Sequence, residues 1–106
     1  MPYPILITYI QDHSTEEALP HMVELIDRIE KEKEPDPQLV SLLARCYYVL
    51  SRYYYNQYVD SRLETHSKQS IAYGDKLHQR FPENIYCAET LSYKIQIFFA
   101  EKNGIS

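Results

Sequence analysis

The sequence predicts an all-α fold. Apolar residues recur at helical spacing through most of the chain, a proline or a capping residue stands at each interruption, and only 2 glycines occur among 106 residues. So few glycines cannot supply the tight turns of an all-β fold. The length, with 44% apolar and 25% charged residues, is that of one helical domain spanning 1–106. A domain this small buries only about 60–65% of the surface its unfolded chain exposes, so a partner surface would add stability.

About four main helices follow a short N-terminal segment. Pro4 to Asp12 holds Ile5, Leu6, Ile7, Tyr9 and Ile10, which by propensity form a short strand or a short helix. Helix is the preferred reading, because no second segment of strand-like alternation exists to satisfy its backbone. Ser14 followed by Glu17 is a capping-box pattern and starts the next helix. Pro20 lies deep in it, so a kink or a restart at Pro20 is expected. Met22, Val23, Leu25, Ile26 and Ile29 make an amphipathic stripe that runs into the charged stretch Glu30 to Glu34, and Pro35 and Pro37 stop it. Residues 1–34 thus form an N-terminal helical hairpin.

Asp36 before Pro37 is an N-cap followed by a proline in the first helical position, and the next 20 or so residues contain no breaker. Leu39, Val40, Leu42, Leu43, Ala44, Cys46, Tyr47, Leu50, Tyr53 and Tyr54 cover more than one stripe, as on a helix sandwiched between neighbours that runs to about Tyr58. Near Val59 to Arg62 the phase is lost, and Asp60 or Ser61 is the expected cap of a third helix carrying Leu63, Ile71, Leu77 and Phe81. Ser67, Ser70 and Gly74 share that face, and a helical glycine is compensated where another helix approaches closely. Pro82 ends this helix, and Asn84 is the expected cap of a fourth with Ile85, Ala88, Leu91, Ser92, Ile95, Phe98 and Phe99 on its apolar side. Asn103 and Gly104 make its left-handed stop. Helices joined by such short breaks pack as antiparallel hairpins.

A net charge of −4 leaves no positive field for a phosphate backbone, which argues against nucleic acid and anionic membrane. No apolar run approaches the roughly 20 residues of a membrane span. The first basic residue is Arg28, so no secretory leader is visible and a cytoplasmic location is expected, or a periplasmic one if a leader has been removed. Cys46 and Cys87 have no metal-type spacing and read as buried thiols, with a disulfide as the lesser alternative.

Val40, Leu43, Ala44 and Tyr47 fit the large, Leu, small, aromatic spacing of a tetratricopeptide repeat, with Ser51 and Tyr53 at the next small and aromatic positions and Asn56 in place of the usual Ala. Phe81-Pro82-Glu83-Asn84 followed by Ala88, Leu91, Ser92 and Ile95 is similar to the start of a further repeat. Residues 36–106 therefore resemble a degenerate, long-helix tetratricopeptide-like hairpin plus a following helix. Tyr47 to Pro82 is longer than the standard repeat allows, so the hairpin is enlarged. Ile71 to Lys76 and Ala100 to Ile105 resemble long-helix relatives of the repeat, among them the helical periplasmic component found with tripartite ATP-independent transporters. The resemblance implies stacked antiparallel hairpins and a protein or peptide partner.

In the register of that resemblance the inner groove is lined by Gln38, Ser41, Arg45, Tyr48 and Arg52 and by Tyr86, Glu89, Tyr93 and Gln96. Arg45 and Arg52 are seven apart with Tyr48 between them, an arrangement that could hold a carboxylate or a peptide by bidentate bonds and stacking, or in which each arginine pairs with a nearby Glu. Tyr47, Tyr48, Tyr53, Tyr54, Tyr55 and Tyr58 span every helix face, as in amphipathic packing with wet hydroxyls or in an interface. His21 beside Glu17 and Glu24, and Asp75 beside His78, have carboxylate neighbours at helical spacing, but no paired Glu-x-x-His units occur; no metal or cofactor is expected. No Gly-rich elbow presents a nucleophile, so no catalytic residue is assigned.

The last helix has no covering helix after it, which leaves Ile95, Ile97, Phe98 and Phe99 as a self-association surface. The expected function is a non-enzymatic interaction module or scaffold, homodimeric through this helix. The alternative is a small-ligand or peptide-binding accessory protein, such as a transporter-associated component.

Overall fold

The computed structural model describes residues 2–103. Among them are five α-helices and no strand: α1 (Tyr3–Asp12), α2 (Thr15–Lys31), α3 (Pro37–Ser61), α4 (Glu64–Arg80) and α5 (Cys87–Lys102). The fold is all-α, as the apolar periodicity predicts. Packing divides the chain into two compact units, with the division inside α3 between Cys46 and Tyr47.

In the first unit α1 and α2 form an antiparallel hairpin, and the Tyr3 hydroxyl at the start of α1 donates to Glu32 just past the end of α2, at 2.7 Å. The ambiguous Ile5–Ile10 segment is helical. Its amides find internal acceptors there, and it buries Leu6 while leaving Ile5 exposed. Ser14 caps α2 by accepting from the Glu17 amide at 3.3 Å, and its hydroxyl donates to the Glu17 carboxylate at 2.9 Å rather than leaving that carboxylate to reach the Ser14 amide. Pro20 does not restart the helix. Pro20 and Glu16 are both exposed, so water can satisfy the Glu16 carbonyl that proline cannot serve, and α2 continues unbroken to Lys31. Its stripe of Ala18, Met22, Leu25, Ile26 and Ile29 is buried, as are Leu43, Ala44 and Cys46 in the first turns of α3. Asp36 starts α3 as expected, accepting from the Gln38 amide at 2.8 Å.

The second unit comprises the C-terminal part of α3 with α4 and α5. α3 runs antiparallel to α4: Tyr47 meets Phe81, Ser51 meets Ser70, and Tyr54 lies against both Tyr73 and His66. α4 runs antiparallel to α5, with Ser67 bonded to Glu101 and Asp75 to Lys94. α3 and α5 are consequently parallel, in a register where Tyr48 meets Glu89 and Tyr55 meets Gln96, both 41 residues on. Gly74 sits where the helices come closest. A Cβ there would lie 3.3 Å from the Ser51 hydroxyl and 3.3 Å from Thr90 Cβ, so the glycine admits α3 and α5 together.

Three helix boundaries differ from the sequence expectation. Asp60 and Ser61 belong to α3 and do not cap α4, whose N-cap is Leu63 without a side-chain bond. Arg62 makes the break, in the left-handed region at φ 60°, with its amide bonded to the Tyr58 carbonyl at 2.7 Å. Asn84 accepts from the Tyr86 amide at 2.9 Å and from the Cys87 amide at 3.1 Å, so it organises a turn, and α5 starts at Cys87, three residues later. At the far end Asn103 has φ −91° and is not left-handed, and Gly104 lies outside the described residues.

The largest correction concerns which side of α5 is buried. Cys87, Thr90, Ile97 and Ala100 face inward, whereas Ile85, Ala88, Leu91, Ser92, Ile95, Phe98 and Phe99 are exposed. The small side chains of Ser67, Ser70 and Gly74 on α4 allow close backbone approach, which suits small residues such as Cys87, Thr90 and Ala100, and Ile97 is the one large apolar side chain of α5 that is buried. Leu63, expected on the apolar side of α4, is also exposed.

Candidate functional site

Six of the nine groove residues named from sequence come together between α3 and α5, and their spacing is the reason. Tyr48, Arg52 and Tyr55 advance along one side of α3 at steps of four and three, and Tyr86, Glu89, Tyr93 and Gln96 do the same on α5. The parallel register then matches them side by side.

Glu89 is the centre of the cluster. Its carboxylate accepts from the Tyr48 hydroxyl at 2.8 Å and from the Tyr93 hydroxyl. The Tyr48 ring stacks on Tyr86 with centroids 4.0 Å apart, and Tyr55 stacks on Tyr93 at 4.4 Å. The Arg52 guanidinium lies 5.3 Å from the Tyr48 ring centroid and donates to its hydroxyl at 3.4 Å. Tyr55 donates to the Gln96 carbonyl oxygen at 2.6 Å, and the Gln96 amide donates to Ser92.

Each group biases the protonation of its neighbours. The two tyrosine hydroxyls, Tyr93 foremost, and then the Arg52 charge hold the Glu89 carboxyl below its ordinary value, although partial desolvation opposes them. Desolvation raises Tyr48 and Tyr93, and the Glu89 carboxylate raises both further. The cluster is therefore a neutral tyrosine pair donating to an anion across neutral pH. The carboxylate sought in a ligand is supplied by the chain itself, and Arg52 stacks on Tyr48 instead of gripping it directly.

Gln38, Ser41 and Arg45 are exposed on the part of α3 that belongs to the first unit. Of the self-association residues, Ile95, Phe98 and Phe99 are exposed and Ile97 is fully buried, because it points with Thr90 and Ala100 toward the interior. Tyr55 was absent from the expected groove. Its position seven residues after Tyr48, hence on the same side of α3, was the available signal.

Neither carboxylate-flanked histidine builds a metal site. His21 and His13 each stack on the Tyr9 ring, with centroids 4.0 and 3.7 Å away, and His78 shares a pocket with Asp75, whose carboxylate pairs with Lys94. Among the described residues no three His, Cys, Asp or Glu side chains are placed to hold a metal ion. Cys46 and Cys87 are both free thiols. Burial pushes the Cys46 thiol up to about 11 despite adjacent Arg45, which keeps it protonated at neutral pH. Cys87 donates to the Phe81 carbonyl at 3.1 Å. No helix among the described residues is long and apolar enough to cross a membrane. Compared with protein-family models, with curated proteins and with solved structures, the chain matches none.

Proposed function

We infer that the chain is a non-enzymatic helical interaction module of tetratricopeptide-like type, which pairs with a second copy of itself through the outer face of α5. One observation carries this. Over the three turns from Ala88 to Phe99 the exposed residues of α5 are Ala88, Leu91, Ser92, Ile95, Gln96, Phe98 and Phe99, none of them charged, in a chain where a quarter of residues carry charge. Ala88, Leu91, Ile95 and Phe98 also fall at the alternating three- and four-residue steps of a two-helix seam. That spacing suits a like helix.

Leu91, Ile95, Phe98 and Phe99 are 49, 59, 53 and 67% exposed. At roughly 200 Å² for a large side chain they present about 450 Å² of apolar surface, on the scale of the largest patches on soluble monomers, which are often functional. A stable interface buries about 800 Å² per partner, so α5 supplies its centre and flanking surface completes it. The antiparallel packing of α4 on α3 and α5, with α3 and α5 parallel, supports the repeat-like part of the reading.

Sedimentation across a concentration range tests it. The wild type should approach twice the chain mass and Phe98→Asp should stay at one chain mass, with unchanged helicity because Phe98 is already half exposed. A wild type that remains at one chain mass at hundreds of micromolar overturns the reading.

A further inference from the structure

A groove of the second unit holds a cation without an ion pair and a hydroxyl without a hydrogen-bond partner among the described residues. It lies between the C-terminal turns of α3 and α5, has a volume of about 370 Å³, and is lined by Tyr55, Tyr58, Ile95 and Phe99 with Arg62 and Gln96. That volume is within the range of small-ligand pockets, and the mix of aromatic walls with a few polar groups is typical of them.

Two features of this groove are unfavourable for folding alone. The Tyr58 side chain is 1% exposed, and its hydroxyl is buried without a hydrogen-bond partner among the described residues. Buried hydroxyls are nearly always paired, so this one, on a residue that lines the groove, is an unmet donor that a bound group can satisfy once the lining shifts. Arg62 occupies the left-handed position that ends α3, where glycine is the unstrained choice. Its guanidinium lies 5.5 Å from the centroid of the Tyr58 ring, and no carboxylate among the described residues stands within ion-pair distance of it. A bulky cation is thus held in a strained conformation beside the groove, in a chain whose net charge is −4.

We propose that this groove binds a small carboxylate with an apolar body: the body lies against Tyr55, Ile95 and Phe99, the carboxylate pairs with Arg62, and the Tyr58 hydroxyl, closed to solvent in the free chain, becomes a donor to the ligand as the lining shifts to admit it. The guanidinium selects an anion, and its planar fork suits a carboxylate. The site adjoins the Glu89 cluster, with which it shares Tyr55 and Gln96, but its cation and its unpaired hydroxyl are outside that cluster. It shares Ile95 and Phe99 with the α5 seam, so a second copy on that seam and a ligand in the groove compete.

The test uses 3-phenylpropionate, its neutral alcohol analogue and its amine analogue, titrated by NMR into the wild type and into Phe98→Asp. Phe98 does not line the groove, so binding to that variant is independent of self-association. The carboxylate should bind at least tenfold more tightly than the alcohol, with the amine weakest, and shifts should centre on the lining residues. Arg62→Gly relieves backbone strain and Tyr58→Phe removes an unsatisfied hydroxyl, so both should raise the melting temperature. Arg62→Gly should nonetheless abolish the tenfold preference, and Tyr58→Phe should weaken the carboxylate. Loss of binding together with a higher melting temperature excludes misfolding as the cause. Equal affinity for acid and alcohol, binding of neither to Phe98→Asp, or an undiminished preference in Arg62→Gly overturns the proposal.

Discussion

Ser51 and Ser70 each donate a side-chain hydrogen bond to the other's backbone carbonyl, at 2.8 and 2.9 Å, across the contact of α3 with α4. Both residues are essentially inaccessible to solvent. A helical carbonyl has a second lone pair besides the one its intrahelical amide uses, so the exchange adds two bonds without breaking either helix. It also fixes the axial register of the two helices, because a slide of one residue would separate both pairs.

Ser51→Ala and Ser70→Ala should each destabilise the protein by about 1 kcal/mol, the net value of a buried neutral hydrogen bond. Urea unfolding followed by circular dichroism measures this. The carbonyls left behind keep their helical partners, so the double variant should lose about the sum.

Gly74 lies one turn from Ser70 and faces both Ser51 and Thr90. Gly74→Val would drive two methyl groups into a space already closed at 3.3 Å and should cost upwards of about 3 kcal/mol. A variant as stable as the wild type in the same unfolding experiment would show that the helices are not held at this distance.

Ile97 and Phe99 are two residues apart on α5, one with 0% and the other with 67% exposure. Ile97→Ala should destabilise by about 2–4 kcal/mol through a core cavity, and Phe99→Ala by less than about 0.5 kcal/mol at dilutions where the chain is single. Equal losses would mean that Phe99 is covered within the isolated chain.

The Glu89 cluster makes stability depend on pH at both ends. The Glu89 carboxyl is lowered from its ordinary 4.5, so its contribution is present above that value and is lost as pH falls through the folded-state value. Tyr48 and Tyr93 are raised from their ordinary 10.0, so theirs is complete below that value and is lost as the medium becomes more alkaline. Thermal melts should give a plateau between about pH 5 and 9, and Glu89→Gln should flatten the acid side of it relative to the wild type.

Pro20 continues α2 at the expense of one helical hydrogen bond. Pro20→Ala restores the donor and improves propensity, and should stabilise the first unit by about 1–3 kcal/mol, read as a higher melting temperature.

Helix identity was legible because it is written locally. Ser14, Asp36, Pro35 and Pro82 act on amides within a few residues of themselves, so their effects need no knowledge of the rest of the chain. Asp60 and Asn84 misled for the same reason: each is a competent local cap, but α3 gained a further turn by ending at Arg62, and the Asn84 side chain was taken by a tight turn. The shared helix faces of Tyr48 with Arg52 and of Glu89 with Tyr93 were legible from their spacing, whereas the pairing of the two faces required the structure. Tyr58 and Arg62 gave no such signal, because an orphan hydroxyl and a strained φ exist only once the backbone is placed.

The sequence by itself determined the all-α class, the starts of α1, α2 and α3 to within a residue, and the small-residue face of α4. Tertiary structure decided which side of α5 faces inward. Apolar periodicity ranks helix faces by hydrophobicity, and on that scale the side bearing Leu91, Ile95 and Phe98 should be buried. Packing against Ser67, Ser70 and Gly74 instead selects by size and distance, and admits Thr90 and Ala100, leaving Leu91, Ile95, Phe98 and Phe99 in solvent while Ile97 alone of the large apolar side chains of α5 is buried.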